Sequence, residues 1–132
     1  MARILVVDDY ADFREVVRLL LERQGHEVLE AEDGIEAVQV CRNSHPDLVI
    51  LDIFMPGKDG IETLWEIREQ RTARRVIAVS AGRTAQWAPK NVDVSEILDL
   101  AGDFGADMTL TKPLEPSELL SAVDKTLGGG PP

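Results

Sequence analysis

The stretch ILVVDD, residues 4–9, sets the first requirement on the fold. Four consecutive aliphatic residues are typical of a strand that is buried on both faces of a sheet. Asp8 and Asp9 follow directly, and two ionised carboxylates at the rim of a core repel each other unless a cation or hydrogen-bond donors compensate. The pair is therefore either a solvated turn that opens a helix or part of a site.

Two further aliphatic runs repeat the pattern of the first. LVIL at residues 48–51 and VIAV at residues 76–79 predict two more central strands of a parallel sheet. Weaker runs around Val28 and at residues 108–111 alternate with polar residues, which is typical of strands at the edges of a sheet. The sequence thus predicts five strands.

Helix-start signals stand between the predicted strands. An aspartate followed three residues later by glutamate, the pattern of a capping signal, occurs at Asp12, Asp33, Asp59 and Asp93. The first of these helices carries an apolar stripe of Phe13, Val16, Val17, Leu20 and Leu21. A fifth helix is predicted from Pro116 to Gly128. Strands and helices that alternate with right-handed crossovers predict an α/β fold, a doubly wound five-stranded parallel sheet in the order 2-1-3-4-5 with five helices on both faces.

Length, charge and composition limit the class of protein. One domain is predicted at residues 1–127, and GGGPP at residues 128–132 predicts a flexible tail or linker stub. The net charge of 14 − 24 = −10 argues against direct binding to nucleic acid. No apolar run reaches membrane-spanning length, so no membrane insertion is predicted. The single cysteine, Cys41, lies in an apolar-periodic stretch and predicts a core position and a reduced, cytoplasmic setting.

Polar side chains follow four of the predicted strands at their carboxyl ends. In chain order these are Asp8 and Asp9, Asp52, Ser80, and Thr111 with Lys112. Ligands of open α/β sheets bind at this edge, where the strand order reverses. Because three carboxylates at close range need a cation, and hard oxygen ligands favour Mg²⁺, the acids predict a magnesium site.

The predicted magnesium site also points to a reaction. A divalent ion attracts a phosphoryl group, and a carboxylate beside it can act as nucleophile, since aspartyl phosphates are established covalent intermediates. Lys112 would neutralise charge on the phosphoryl group, and Ser80 would hydrogen-bond another of its oxygens. The residues at this edge therefore favour phosphoryl chemistry over a solvated turn.

Four motifs in order along the chain carry a family resemblance. VVDDY at residues 6–10, LDIFMPGKDG at 51–60, VIAVSAG at 76–82 and LTKP at 110–113 resemble the successive signatures of the receiver domain of two-component response regulators. The resemblance covers nearly the whole chain. It implies a signalling module that takes a phosphoryl group from a phosphohistidine on a sensor histidine kinase or histidine phosphotransfer protein. The module would supply most of the catalysis for phosphorylation and for later hydrolysis, and would switch its binding to a downstream protein partner.

The resemblance implies a role for each residue at the site. Asp52 would be the phosphoacceptor. The implied ligands of Mg²⁺ are Asp9, Asp52 and the backbone carbonyl of Phe54, with Asp8 acting largely through water. Ser80 would be the switch hydroxyl. Lys112 would contact the phosphoryl group, and the Lys112-Pro113 peptide bond would be cis.

Two features depart from the pattern of the family. Thr109 stands where the family usually has Tyr or Phe, whose rotation couples to the switch hydroxyl. GRTAQWAPKNV at residues 82–92 predicts a loop of eleven residues, whereas loops in compact domains usually have about 4 to 6. Trp87 in this loop either anchors a partner or packs over the edge of the sheet.

Two other functions compete with phosphorylation-controlled signalling. A phosphatase of the haloacid dehalogenase type needs an acid two residues after its aspartate nucleophile, and this chain has Phe54 there. A receiver fold that serves as a binding scaffold without phosphorylation is favoured by Thr109. The complete set of Asp9, Asp52, Ser80 and Lys112 argues against the scaffold.

Overall fold

Five strands form one parallel sheet at the centre of the molecule. The computed structural model describes residues 1–53, 60–80 and 94–128. The strands are β1 (Arg3–Val7), β2 (Glu27–Ala31), β3 (Leu48–Asp52), β4 (Arg75–Ser80) and β5 (Met108–Thr111). Their order across the sheet is β2-β1-β3-β4-β5, which confirms the predicted order. The two alternating runs form the edge strands, as predicted.

Five helices cover the two faces of the sheet, which confirms the predicted fold class. They are α1 (Ala11–Arg23), α2 (Gly34–Ser44), α3 (Gly60–Gln70), α4 (Val94–Asp103) and α5 (Pro116–Gly128). Buried residues of α2, α3 and α4 share one core with the sheet, and those of α1 and α5 share the other. Gly128 is the last residue of α5, and residues 129–132 of the predicted tail lie outside the described residues.

The alternation of side chains along the strands decides which face each residue occupies. Successive side chains of a strand point to opposite faces of the sheet. Ile50 of β3 belongs to the core under α1 and α5, whereas Leu51 belongs to the core under α2, α3 and α4. Asp52 at the end of β3 therefore points to the side of α1 and α5.

The predicted capping signals differ in their outcome. The carboxylate of Asp33 accepts a hydrogen bond of 2.8 Å from the backbone N–H of Glu36 and caps α2, as predicted. The prediction for Asp12 is wrong, because α1 begins at Ala11 with Tyr10 at the N-cap. Asp12 lies inside the first turn, where a negative charge is favourable to the helix dipole. The signals at residues 59 and 93 lie outside the described residues.

The apolar stripe predicted for α1 is correct except at Val16. Val17 and Leu21 are buried, and Phe13 and Leu20 pack half-buried against the same core. Val16 is 56 % exposed. Successive residues of a helix are about 100° apart, so Val16, one position before the buried Val17, faces solvent.

Cys41 lies fully buried in the core under α2, which confirms its predicted position. Burial raises the pKa of the Cys41 thiol to about 11, because the core disfavours the thiolate. We expect iodoacetamide at about pH 8 to leave the folded protein unmodified and to alkylate Cys41 once denaturant unfolds the chain. Intact-mass measurement with and without denaturant tests this, and equal rates of alkylation would contradict it.

Candidate functional site

Asp8, Asp52 and Lys112 meet at the carboxyl ends of their strands. The ammonium of Lys112 donates a hydrogen bond of 2.6 Å to Asp8 Oδ2 and one of 3.4 Å to Asp52 Oδ2. Asp8 is 1 % exposed and Asp52 is 3 % exposed. Two buried carboxylates thus share one cation, and each of them would be costly to bury without it.

Asp9 joins the two buried acids to form a cluster of three carboxylates. One oxygen each from Asp8, Asp9 and Asp52 lies within 4.8 Å of the others. Asp9 is exposed, so the cluster has a side open to solvent. Mg²⁺ and Ca²⁺ prefer hard oxygen ligands such as carboxylates. The three acids could therefore bind a metal ion of this kind.

The turn between β1 and α1 holds the acids in place through several hydrogen bonds. The backbone N–H of Asp8 donates to the carbonyl of Ala31 at 3.1 Å, and Asp8 Oδ1 accepts from the N–H of Tyr10 at 2.9 Å. The guanidinium of Arg14 donates to the carbonyl of Asp8 at 2.6 Å and forms an ion pair of 3.0 Å with Glu30. The backbone around Asp8 is therefore tied both to β2 and to α1.

The electrostatics of the site keep Lys112 protonated. Burial is the largest single effect on its pKa and acts to lower it. The hydrogen bonds and charges of Asp8 and Asp52 together outweigh burial, so the pKa of Lys112 is raised above its ordinary value. Lys112 is a fixed positive charge at neutral pH, suited to neutralising an incoming anionic group.

Ser80 ends β4 on the opposite side of the sheet from Asp52. Ala78, two residues earlier, belongs to the core under α2, α3 and α4, so Ser80 points to that side and is fully buried. Its carbonyl accepts a hydrogen bond of 2.8 Å from the N–H of Lys112. Thr109 of β5 pairs in register with Ala78 and is half-buried.

The structure brings together four of the six residues that the sequence assigned to the site, namely Asp8, Asp9, Asp52 and Lys112. Ser80 lies at the same edge and is linked to Lys112 through its backbone carbonyl. The Lys112-Pro113 peptide bond is cis, as the family resemblance implies. Phe54, residues 82–92 and Trp87 lie outside the described residues.

Sequence reasoning missed two contacts at the site. The ring of Phe13 lies 4.1 Å from the ammonium of Lys112, measured to the ring centroid. Arg14 binds the carbonyl of Asp8. Both residues lie in the first turn of α1, but the apolar periodicity of the sequence assigned Phe13 only to the core and indicated neither contact.

Comparisons with known proteins agree with this fold and geometry. The family model of the response regulator receiver domain matches residues 4–124. The chemotaxis protein CheY of Bacillus subtilis is 37 % identical over 126 residues, which cover 95 % of this chain and 97 % of that protein. The crystal structure of a two-component response regulator of the LuxR family from Aurantimonas has a TM-score of 0.82 and 34 % identity, covering 98 % of this chain and 86 % of that one.

Other relatives are longer proteins. The alkaline phosphatase synthesis transcriptional regulatory protein PhoP of Bacillus subtilis is 34 % identical over 125 residues, which are 95 % of this chain and 48 % of that protein. The chain spans about half the length of several of the curated relatives it matches.

The chain belongs to the receiver domain family of response regulators. Its fold is that of the receiver domains of two-component signalling, a class of domain that interacts with histidine kinases and downstream effector domains. In the part of the chain that the structure describes, no helix is long and apolar enough to cross a membrane.

Proposed function

We propose that Asp52 is the phosphoacceptor and takes its phosphoryl group from a phosphohistidine on a sensor histidine kinase or histidine phosphotransfer protein. One observation carries this proposal: the buried Asp52 carboxylate lies 3.4 Å from the Lys112 ammonium and within one cluster with Asp8 and Asp9. In the transfer, an oxygen of Asp52 forms a bond to phosphorus while the P–N bond of the phosphohistidine breaks. The electron pair of that bond goes to the imidazole nitrogen.

Mg²⁺ is the metal that the donor set of the site fits best. Asp9, Asp52 and the backbone carbonyl of Phe54 would hold it, and Asp8 would act largely through water. The three carboxylate oxygens within 4.8 Å of one another and the exposed position of Asp9 support this assignment, since Mg²⁺ keeps several waters. When bound, the ion neutralises charge on the phosphoryl oxygens.

The protein's own cation supplies the remaining charge neutralisation. Lys112 is held between Asp8 and Asp52, so its ammonium is already beside the oxygen that becomes phosphorylated. It exchanges its bond to Asp52 for one to a phosphoryl oxygen. Ser80 acts as the switch hydroxyl and donates a hydrogen bond to another phosphoryl oxygen.

Phosphorylation would then change which surface a downstream protein partner binds. New negative charge at Asp52 favours the conformation in which Ser80 turns toward it, and the population of that conformation rises accordingly. The domain itself supplies most of the catalysis for phosphorylation and for the later hydrolysis. We assign it to residues 1–127, with residues 128–132 as a tail or linker, and to the cytoplasm, which the buried free thiol of Cys41 supports.

A binding scaffold that is never phosphorylated is the second candidate function. Thr109, half-buried on the Ser80 side of the sheet, favours it, because the family usually has an aromatic residue there. Incubation with acetyl phosphate and Mg²⁺ distinguishes the two functions. A receiver gains one phosphoryl group by intact mass when Mg²⁺ is present and gains none when EDTA removes Mg²⁺ from the incubation, whereas a scaffold gains none in either case.

Asp9 and Asp8 should contribute unequally to the affinity for Mg²⁺. Asp8 is already engaged by Lys112 at 2.6 Å and by the N–H of Tyr10 at 2.9 Å, whereas Asp9 faces solvent. We expect Asp8→Asn to raise the Kd for Mg²⁺ about tenfold and Asp9→Asn to raise it further. Calorimetric titration gives both values. The reverse ranking would show that the roles of the two acids are misassigned.

A further inference from the structure

The ammonium of Lys112 has a third neighbour besides its two carboxylates. The ring of Phe13 lies 4.1 Å from Lys112 Nζ, measured to the ring centroid. A cation within about 6 Å of a ring centroid is attracted to the negative face of the ring, and more strongly where water is excluded. The Lys112 side chain is only 19 % exposed, so this contact is largely shielded from solvent.

Packing against the core holds the ring of Phe13 beside the site. It lies in the first turn of α1, directly after the acidic turn, and its ring packs half-buried against the core formed by α1, α5 and the sheet. Asp52 points to the same side of the sheet as this core. The ring and the carboxylates of Asp8 and Asp52 therefore all lie close to the ammonium of Lys112.

The geometry points to Phe13 as a positioning residue that keeps the Lys112 ammonium ready for phosphoryl transfer to Asp52. This inference rests on the proposed function. Lys112 lies 2.6 Å from Asp8 but 3.4 Å from Asp52, so the tighter bond draws the ammonium away from the reacting carboxylate. The ring attracts the charge through its face and accepts no conventional hydrogen bond, which leaves the N–H donors of Lys112 free to move to phosphoryl oxygens.

Replacing the ring by an aliphatic side chain separates this role from simple packing. Phe13→Leu keeps an apolar group in the core but removes the π face, and we expect the initial rate of phosphorylation by acetyl phosphate with Mg²⁺ to fall about threefold to tenfold. Phe13→Tyr keeps the π face and should retain the rate of the wild type. The rates come from intact-mass time courses, and thermal unfolding shows that each variant is folded. Should Phe13→Leu not fold, Phe13→Met makes the same test.

The same substitution in a Lys112→Ala variant shows whether Phe13 acts through Lys112. In a Lys112→Ala protein the ammonium is gone, so adding Phe13→Leu should slow the reaction no further. Leu20→Val, a matched change at a half-buried residue two turns further along α1, should leave the rate unchanged. An equal loss of rate in the Lys112→Ala background or with Leu20→Val would overturn the inference, because it would show a general loosening of α1.

The outcome for the wild type separates this inference from the proposed function. If the wild type takes up no phosphoryl group, the proposed function fails and the inference fails with it. If the wild type is labelled but Phe13→Leu is labelled at the same rate, the inference fails and the proposed function stands.

Discussion

Asp52→Asn is expected to abolish phosphorylation by acetyl phosphate and Mg²⁺ completely. The amide keeps the size of the side chain but lacks the anionic oxygen that attacks phosphorus. Asp52 is buried, lies beside the ammonium of Lys112 and forms a cluster with two other carboxylates. Intact-mass measurement should show one added phosphoryl group on the wild type and none on the variant.

A control variant and a check of folding make this expectation specific to Asp52. Asp33→Asn removes a carboxylate that is outside the cluster of three acids but keeps the N-cap of α2, since Asn caps helices as well as Asp, and it should label like the wild type. Asp52→Asn should remain folded, because Lys112 keeps its ion pair with Asp8 at 2.6 Å. Equal labelling of wild type and Asp52→Asn would show that another group accepts the phosphoryl group.

Gly60→Ala is expected to cause a large loss of stability. A Cβ at residue 60 would lie 2.3 Å from the Cα of Ile53 and 2.6 Å from its carbonyl oxygen. Both are backbone atoms of the residue directly after Asp52, so relief requires a shift of α3 or of the strand end. We expect the free energy of unfolding to fall by about 2 to 3 kcal/mol or more, measured by urea denaturation.

Gly102→Ala is the matched control for this substitution. Gly102 lies within α4, and a Cβ there meets no atom of the described chain within 4 Å. Alanine in an exposed helical position should stabilise the protein by about 0.5 to 1 kcal/mol. Equal effects of the two alanines would mean that the close approach of Gly60 to Ile53 is not maintained in solution.

The strand order of the sheet could be predicted from the sequence because central and edge strands have different patterns of apolar and polar residues. The runs at residues 4–7, 48–51 and 76–79 are aliphatic throughout, and those at 27–31 and 108–111 alternate, which fixed the central and edge positions. The start of α1 was placed wrongly for a physical reason. The turn of residues 8–10 is closed by Asp8, which accepts from Tyr10, so the helix begins before the capping pattern at Asp12.

The acids and Lys112 could be predicted as neighbours because all of them stand at strand ends, and parallel strands end at one edge. The contacts of Phe13 and Arg14 with the site could not be predicted, because the periodicity of a helix assigns a residue only to the core or to solvent. The different surroundings of Asp8 and Asp9 also escaped prediction. The two surroundings differ because Lys112, which follows β5, forms a hydrogen bond with Asp8. The two residues are 104 positions apart in the sequence.

The alternation of side chains along the sheet places the proposed phosphoacceptor and the proposed switch hydroxyl on opposite faces of the sheet. Asp52, Phe13 and Lys112 gather on the side of α1 and α5, and Ser80 points to the side of α3 and α4. The close packing of the sheet between the two faces leaves little room for rearrangement, so in the proposed function the effect of phosphorylation would pass from one face to the other at the strand ends. If the proposed roles hold, substitutions that change the choice of phosphodonor and substitutions that change the response would accumulate independently, on opposite faces of one small domain.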